Sequence, residues 1–163
     1  MEAVAHCRSQ IYDYFHGNDA CQKYFFHDAH EEEYAAYYTS MYLLQDSTET
    51  LLQHRQRGFS SSPLDVYLEF WGVMQAIIIQ QDSIAEIYTV LVQQDLSPKD
   101  KDLKSWLQVR ELRNICAGHT ARRDRPKSAP LTRTFMGRAF GGYDEIEYEQ
   151  WQRGIGITFL AWR

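Results

Sequence analysis

Three polar side chains near the end of a predicted helix could together cleave a phosphodiester bond. Arg113, Asn114 and His119 fall within about two helical turns of sequence. A guanidinium that stays charged can stabilise developing phosphate charge, and an imidazole that titrates near neutrality can move the proton of an RNA 2′-hydroxyl. This chemistry requires no metal, so we expect neither a metal nor another cofactor.

The spacing of these residues requires a break in the helix. At about 3.6 residues per turn, a straight helix would place Arg113 and His119 on different faces. Gly118 can end the helix in a left-handed conformation, so that His119 folds back toward the Arg113 side. In the alternative interpretation, His119 is a cation at the negative end of the helix dipole and Arg113 forms a surface ion pair. Spacing alone favours this alternative.

The segment from Arg110 to Arg138 is basic, although the whole chain has a formal net charge of −5. It contains eight lysines and arginines against only Glu111 and Asp124. A basic patch beside a histidine suits a polyphosphate ligand. The candidate RNA-binding residues are Arg110, Arg122, Arg123, Arg125 and Lys127. The last four belong to a proline-containing basic loop at 120–130, which either orders on nucleic acid or stays a solvated loop.

Arg113-Asn114, four further residues and His119, placed at the end of a late helix, resemble the Arg-polar-x4-His motif of the HEPN superfamily. The resemblance implies an all-helical domain with metal-independent ribonuclease activity, often in toxin–antitoxin or phage-defence systems. It also implies catalytic roles for these three residues and a homodimer that pairs two motifs in one site. Some members are silenced by modification of a tyrosine two residues after the histidine. Position 121 is Ala121 here, so this regulation is not expected.

Length and composition favour one domain. The 163 residues, 44% of them hydrophobic, suffice for a single core, so we predict one helical domain over residues 1–163.

The N-terminus has no basic region followed by an apolar stretch, and no later run is apolar enough to span a bilayer. We therefore expect a cytoplasmic protein without a membrane partner.

The three cysteines fit neither a disulfide framework nor a four-cysteine zinc site; they are Cys7, Cys21 and Cys116. Cys116 is interpreted as a helix-packing residue.

Apolar periodicity and helix-end signals predict a mainly α fold, an up-down bundle of about four helices. The first three run from Glu2 to Phe15, from about Asp28 to Arg57 before Gly58, and from about Leu64 to Gln94. The fourth begins at Ser97-Pro98 and carries the motif. The second helix has an aromatic and apolar stripe at Tyr34, Tyr38, Met41, Leu44, Leu51 and Leu52.

The third helix carries a predicted heptad seam. Its members recur at alternating spacings of four and three residues: Tyr67, Trp71, Met74, Ile78, Gln81, Ala85, Tyr88 and Val92. Gln81 interrupts the apolar run, with Gln75, Gln80 and Asp82 nearby. We favour a buried hydrogen-bonded network over a polar wall that faces a substrate. The aromatic faces of the second and third helices offer a surface for a homodimer.

A β-hairpin appendage is predicted over residues 132–151. Its strands would be Thr132–Phe140 and Tyr143–Trp151, joined by a two-residue turn at Gly141-Gly142. This turn would place Phe135 opposite Tyr148. The apolar stretch from 154 to 163 is either an extra strand or the beginning of another element.

Other chemical signals are weaker. His27-Asp28-Ala29-His30-Glu31 looks like a metal-ligand cluster, yet further ligands cannot be placed, so a solvated helix start is favoured. His119, Asp124 and Ser128 lack the nucleophile elbow of a hydrolytic triad. The glycine pairs lack the context and lysine of a phosphate loop.

The resulting hypothesis is an endoribonuclease that leaves a 2′,3′-cyclic phosphate. His119 would act as general base or acid, Arg113 would stabilise the phosphorane, and Asn114 would orient the histidine or the phosphate. The expected partners are RNA, a second copy of the chain, and an antitoxin or regulatory protein. The alternative is a non-catalytic module that binds RNA, a nucleotide or a protein.

Overall fold

The computed structural model describes residues 1–96, 103–116, 132–135, 146–152 and 155–162. This described part is mainly helical, as the sequence predicts. Its elements are α1 (Glu2–Gly17), α2 (Asp19–Phe25), a 3₁₀ turn (Asp28–His30), α3 (Glu31–Arg57), α4 (Pro63–Val92), α5 (Lys104–Cys116), β1 (Thr132–Phe135), β2 (Ile146–Gln152) and β3 (Gly156–Trp162). The ends of α1, α3 and α4 agree with the predicted ends to within one turn. The predicted start of the motif helix at 97–98 lies outside the described residues.

Helix α2 was not predicted from the sequence. It exists because Asn18 caps it: the Asn18 Oδ1 accepts hydrogen bonds from the backbone N–H groups of Ala20 and Cys21 at 3.0 and 3.2 Å. The Gln22 Nε2 donates to the His16 carbonyl at 2.7 Å, which ties α2 to the end of α1. Gly17-Asn18 therefore marks a corner between two helices.

Helix α3 ends where the sequence predicts. Gly58 has φ 78° and ψ −179°, a conformation open essentially to glycine alone, and its N–H donates to the His54 carbonyl at 2.8 Å. Glycine thus stops the helix and turns the chain toward α4.

The described chain separates into two compact units. The first comprises Met1–Gly58 and Gln75–Asp100, and the second comprises Phe59–Met74 and Lys101–Arg163. Helix α4 contributes residues to both units. The core of the first unit is formed by Phe15, Phe25, Tyr37, Met41, Leu44, Ile87 and Val90.

Within the first unit, α3 and the later part of α4 run antiparallel. Tyr37 and Val90 share the core at one end, and the Gln80 Nε2 donates to the Thr48 Oγ1 at 2.8 Å toward the other end. Both partners of this hydrogen bond are buried. It supports the predicted buried polar network at Gln80, and Gln81 is buried as well, whereas Gln75 and Asp82 are exposed.

The predicted heptad seam of α4 is buried within the chain only in its middle part, at Met74, Ile78 and Gln81. Trp71, Tyr88 and Val92 are 40%, 36% and 44% exposed. A second set with the same alternating spacing is buried along its whole length: Val73, Ala76, Gln80, Ser83, Ile87 and Val90. The sequence could not choose between these seams because α4 is apolar on several faces, as at Ile77–Ile79. In the first unit, the side chains of α3 and α1 that pack with Ile87 decide which face of α4 is buried.

The second unit contains the strands. They form an antiparallel sheet of order β1-β2-β3, so the final apolar stretch supplies a third strand. Phe135 pairs with Glu149, one residue away from the predicted partner Tyr148. A one-residue shift of this kind exchanges the faces of one strand relative to the other. The turn residues themselves lie outside the described residues.

None of the described helices combines the length and the apolarity needed to cross a bilayer.

Candidate functional site

The first two motif residues lie in the last turn of α5. Leu112 and Cys116, one turn apart, are 3% and 2% exposed, so one face of the helix is fixed in the interior of the second unit. Arg113 is half-buried beside this face, and Asn114 is exposed. Helix α5 also packs against β1. The backbone that carries Arg113 and Asn114 is therefore held by burial on one side.

Arg113 and Asn114 contact each other directly. The Arg113 Nη1 donates a hydrogen bond to the Asn114 Oδ1 at 3.1 Å. The sequence hypothesis assigned Asn114 to orienting the histidine or the phosphate. In the structure its carbonyl oxygen accepts from the guanidinium, and its role toward the histidine or the phosphate stays a prediction.

The other predicted site residues are only partly described. Arg110 is half-buried one turn before Arg113 on the same side of α5, where Trp106 is half-buried as well. His119 and the basic residues Arg122, Arg123, Arg125 and Lys127 lie outside the described residues. The approach of His119 to Arg113 therefore stays a prediction.

Tyr148 on β2 is a neighbour of the motif helix that the sequence did not reveal. Burial raises its pKa, and the nearby Cys116 and Glu111 raise it further. Its position near α5 depends on the strand register, and the sequence-based register was wrong by one residue. The pattern that could have identified Tyr148 is the alternation of β2 combined with the correct register.

The thiol of Cys116 is not set up as a nucleophile. It is almost fully buried, and burial raises its pKa to about 12. A thiol with this pKa stays protonated at neutral pH, and the thiolate is the reactive form. This agrees with the interpretation of Cys116 as a packing residue.

The histidine cluster before α3 has local structural roles. The His27 Nδ1 accepts from the Ala29 N–H at 3.1 Å, which caps the 3₁₀ turn. The His30 ring stacks on Tyr24 with centroids 3.7 Å apart, and its Nδ1 is 3.6 Å from the Glu33 Oε1. Across the ranges that the structure describes, no three histidine, cysteine or acidic residues are grouped to hold a metal ion.

Several aromatic and apolar side chains of the expected dimer faces are exposed. On α3, Tyr38 and Tyr42 are about half exposed, with ring centroids 4.7 Å apart. On the first part of α4, Trp71 of the predicted seam is exposed, and so are Leu64 and Leu68, which lie outside that seam. These side chains are available to a partner.

Comparisons with models of protein families, with curated proteins and with solved structures find no significant match for this chain. The HEPN resemblance stays a prediction, and the described geometry that bears on it is that of Arg113, Asn114 and α5.

Proposed function

We propose that the chain is a metal-independent endoribonuclease of the HEPN type, with Arg113, Asn114 and His119 as its catalytic residues. The observation that carries this proposal is the Arg113–Asn114 hydrogen bond of 3.1 Å in the last turn of a half-buried helix. A guanidinium held by a neighbouring amide loses less freedom when it meets a phosphate, which favours transition-state binding.

The proposed reaction is an in-line attack. The RNA 2′-oxygen bonds to phosphorus, the bond from phosphorus to the 5′-oxygen breaks, and a 2′,3′-cyclic phosphate and a 5′-hydroxyl result. His119 removes the 2′-hydroxyl proton or delivers a proton to the leaving 5′-oxygen. Arg113 stabilises the charge on the non-bridging oxygens. DNA resists because it lacks the attacking hydroxyl.

RNA is held in this proposal by the basic residues around the motif. Arg110 lies one turn from Arg113 and can contact a neighbouring phosphate, and the loop at 120–130 adds four more basic residues. A homodimer supplies two motifs, so that one histidine serves each side of the scissile bond. We further propose that the helices form an up-down bundle with a C-terminal β-hairpin. The proposed biological role is that of a toxin or defence component, which an antitoxin or regulatory partner restrains.

The test is cleavage of a labelled single-stranded RNA in EDTA, with fragment ends identified by mass spectrometry. We expect cyclic phosphate ends with the wild-type protein and loss of cleavage in both His119→Ala and Arg113→Ala. His6→Ala and Arg55→Ala are matched controls, because both side chains are exposed on helices of the first unit, and they should cleave normally. Cleavage that survives in His119→Ala would refute the proposal.

Binding measurements separate the alternative functions. RNA affinity should fall steeply with salt and should survive in His119→Ala. Salt-dependent binding without cleavage by the wild-type protein would favour the non-catalytic RNA- or nucleotide-binding module. Absence of both would favour a protein-binding module or a helical scaffold whose motif only ends a helix.

A further inference from the structure

One side of α3 carries two tyrosines between carboxylates, and we call it the tyrosine–acid face. Its members recur at intervals of seven, four, four and three residues, which places them on one side of the helix: Glu31, Tyr38, Tyr42, Asp46 and Glu49. All five are exposed. Another side of α3 packs into the core of the first unit through Tyr37, Met41 and Leu44. The tyrosine–acid face is therefore held from behind, and it spans about 27 Å along the helix.

The two tyrosine rings form a preorganised aromatic surface. Their centroids are 4.7 Å apart, and a hydrogen bond between the Tyr38 and Tyr42 side chains raises the pKa of Tyr38. Tyr34 continues the row toward the start of the helix, with its ring centroid 6.1 Å from that of Tyr38. Exposed tyrosine rings attract cations, and a guanidinium can stack flat on such a ring. The first unit already contains a contact of this kind, since the Arg8 Cζ lies 5.4 Å from the centroid of the Tyr12 ring.

The charge around these rings is of one sign. Residues 31–54 include five carboxylates and no lysine or arginine. Among the described residues, no cation forms an ion pair with Glu31, Asp46 or Glu49, and the Glu49 Oε1 accepts from the neutral Gln45 Nε2 at 2.8 Å. Charge complementarity therefore favours a cationic partner for this face.

A second copy of the same face is a poor partner. In an antiparallel pairing about the midpoint between Tyr38 and Tyr42, each Glu31 lies opposite a Glu49. In a parallel pairing, each carboxylate lies opposite its own equivalent. Both arrangements bring like charges together, which costs free energy. A neutral apolar partner would remove water from the carboxylates without supplying a counter-charge, which is also costly.

We propose that the tyrosine–acid face binds an arginine-rich segment of a partner protein. Guanidinium groups of the segment stack on Tyr38 and Tyr42, and flanking arginines donate hydrogen bonds to the carboxylates at both ends of the face. A span of about 27 Å corresponds to about eight residues of extended chain. This surface is independent of the ribonuclease proposal, since it contains no motif residue.

The test measures binding of fluorescein-labelled nona-arginine to the full chain by fluorescence anisotropy. At low ionic strength we expect a dissociation constant below about 100 μM, which rises as salt is added. Nona-lysine has the same charge but stacks poorly, so it should bind about threefold more weakly or worse. Tyr38→Leu/Tyr42→Leu should weaken nona-arginine binding about 5- to 30-fold and reduce its advantage over nona-lysine. Tyr14→Leu, at an exposed position of α1, is the matched control and should bind like the wild type.

The carboxylates are tested at constant net charge. Asp46→Asn/Glu49→Gln should weaken nona-arginine binding about 3- to 10-fold, because two ion pairs are lost. Glu2→Gln/Asp13→Asn changes the net charge by the same amount at exposed positions of α1, and it should change the affinity by less than about twofold. Far-ultraviolet circular dichroism checks that each variant is folded.

Four results would overturn the proposal. The first is a dissociation constant for nona-arginine above about 1 mM at low ionic strength. The second is equal weakening in the two carboxylate variants, since binding would then follow net charge alone. The third is unchanged affinity in a folded Tyr38→Leu/Tyr42→Leu variant. The fourth is a wild-type dimer that dissociates in this tyrosine variant, measured by analytical ultracentrifugation, which would assign the face to a second copy of the chain.

Discussion

The hydrogen bond between Thr48 and Gln80 should be a measurable determinant of stability. It joins α3 to α4 with a distance of 2.8 Å, and the two residues are 2% and 7% exposed. Among the described residues, the Gln80 Nε2 also lies 3.5 Å from the Met1 sulfur, which is a weak acceptor. Removal of one partner therefore leaves the other polar group in the interior.

The expected costs differ between the two partners. Thr48→Val keeps the shape and removes the acceptor, so the Gln80 amide loses its hydrogen bond, and we expect a loss of about 2 kcal/mol in the free energy of unfolding. This corresponds to roughly 4–8 °C in Tm for a chain of this size. Gln80→Leu should cost about 1 kcal/mol, because the Thr48 hydroxyl can rotate toward a carbonyl of its own helix.

The double variant is the decisive measurement. With both polar groups removed, Thr48→Val/Gln80→Leu should be more stable than the sum of the single losses by about 1–2 kcal/mol. Urea unfolding followed by circular dichroism measures all three variants, and Thr50→Val, at an exposed position of α3, is the matched control and should stay within about 0.5 kcal/mol of the wild type. A coupling energy below about 0.3 kcal/mol would refute the reasoning, since the two side chains would then act independently.

Three further predictions concern single positions. Gly58→Ala should cost about 1–3 kcal/mol because of its φ of 78°, whereas Gly72→Ala, inside α4 and with open space around its Cβ position, should stabilise by about 0.5–1 kcal/mol; urea unfolding compares them. Tyr37→Phe should leave stability unchanged or raise it by about 1 kcal/mol, because no hydrogen bond is lost, and a clear destabilisation would contradict the unpartnered hydroxyl. Cys116 has a folded pKa of about 12 against an ordinary value of 9.0, so the stability linked to it is complete below pH 9.0 and is lost as pH rises toward 12. The alkaline loss of stability should be smaller in Cys116→Ala, and native Cys116 should resist Ellman's reagent at neutral pH while the exposed Cys7 reacts.

Local signals explain which elements the sequence predicted well. Helices α1, α3 and α4 follow from apolar periodicity, and the end of α3 follows from Gly58, because these signals act within a few residues. The placement of Arg113 and Asn114 on one helix was predictable for the same reason. Helix α2 was missed because its main signal is one capping side chain, Asn18, in a short segment.

Non-local packing explains the errors. In the first unit, packing with α1 and α3 decides which face of α4 is buried, and both candidate seams are apolar enough that the sequence pattern alone cannot separate them. The strand register depends on the whole connection between β1 and β2, and a glycine pair in the middle does not fix it.

The sequence by itself thus determined the helices, the end of α3 and the type of residues that could cleave RNA, because periodicity, helix-ending residues and side-chain chemistry are local properties. Only the tertiary structure decided that Gln80 meets Thr48, that Tyr148 lies near the motif helix and that Tyr37 stacks on Phe15. Each of these pairs residues far apart in the chain, and only the packing of whole elements brings them together.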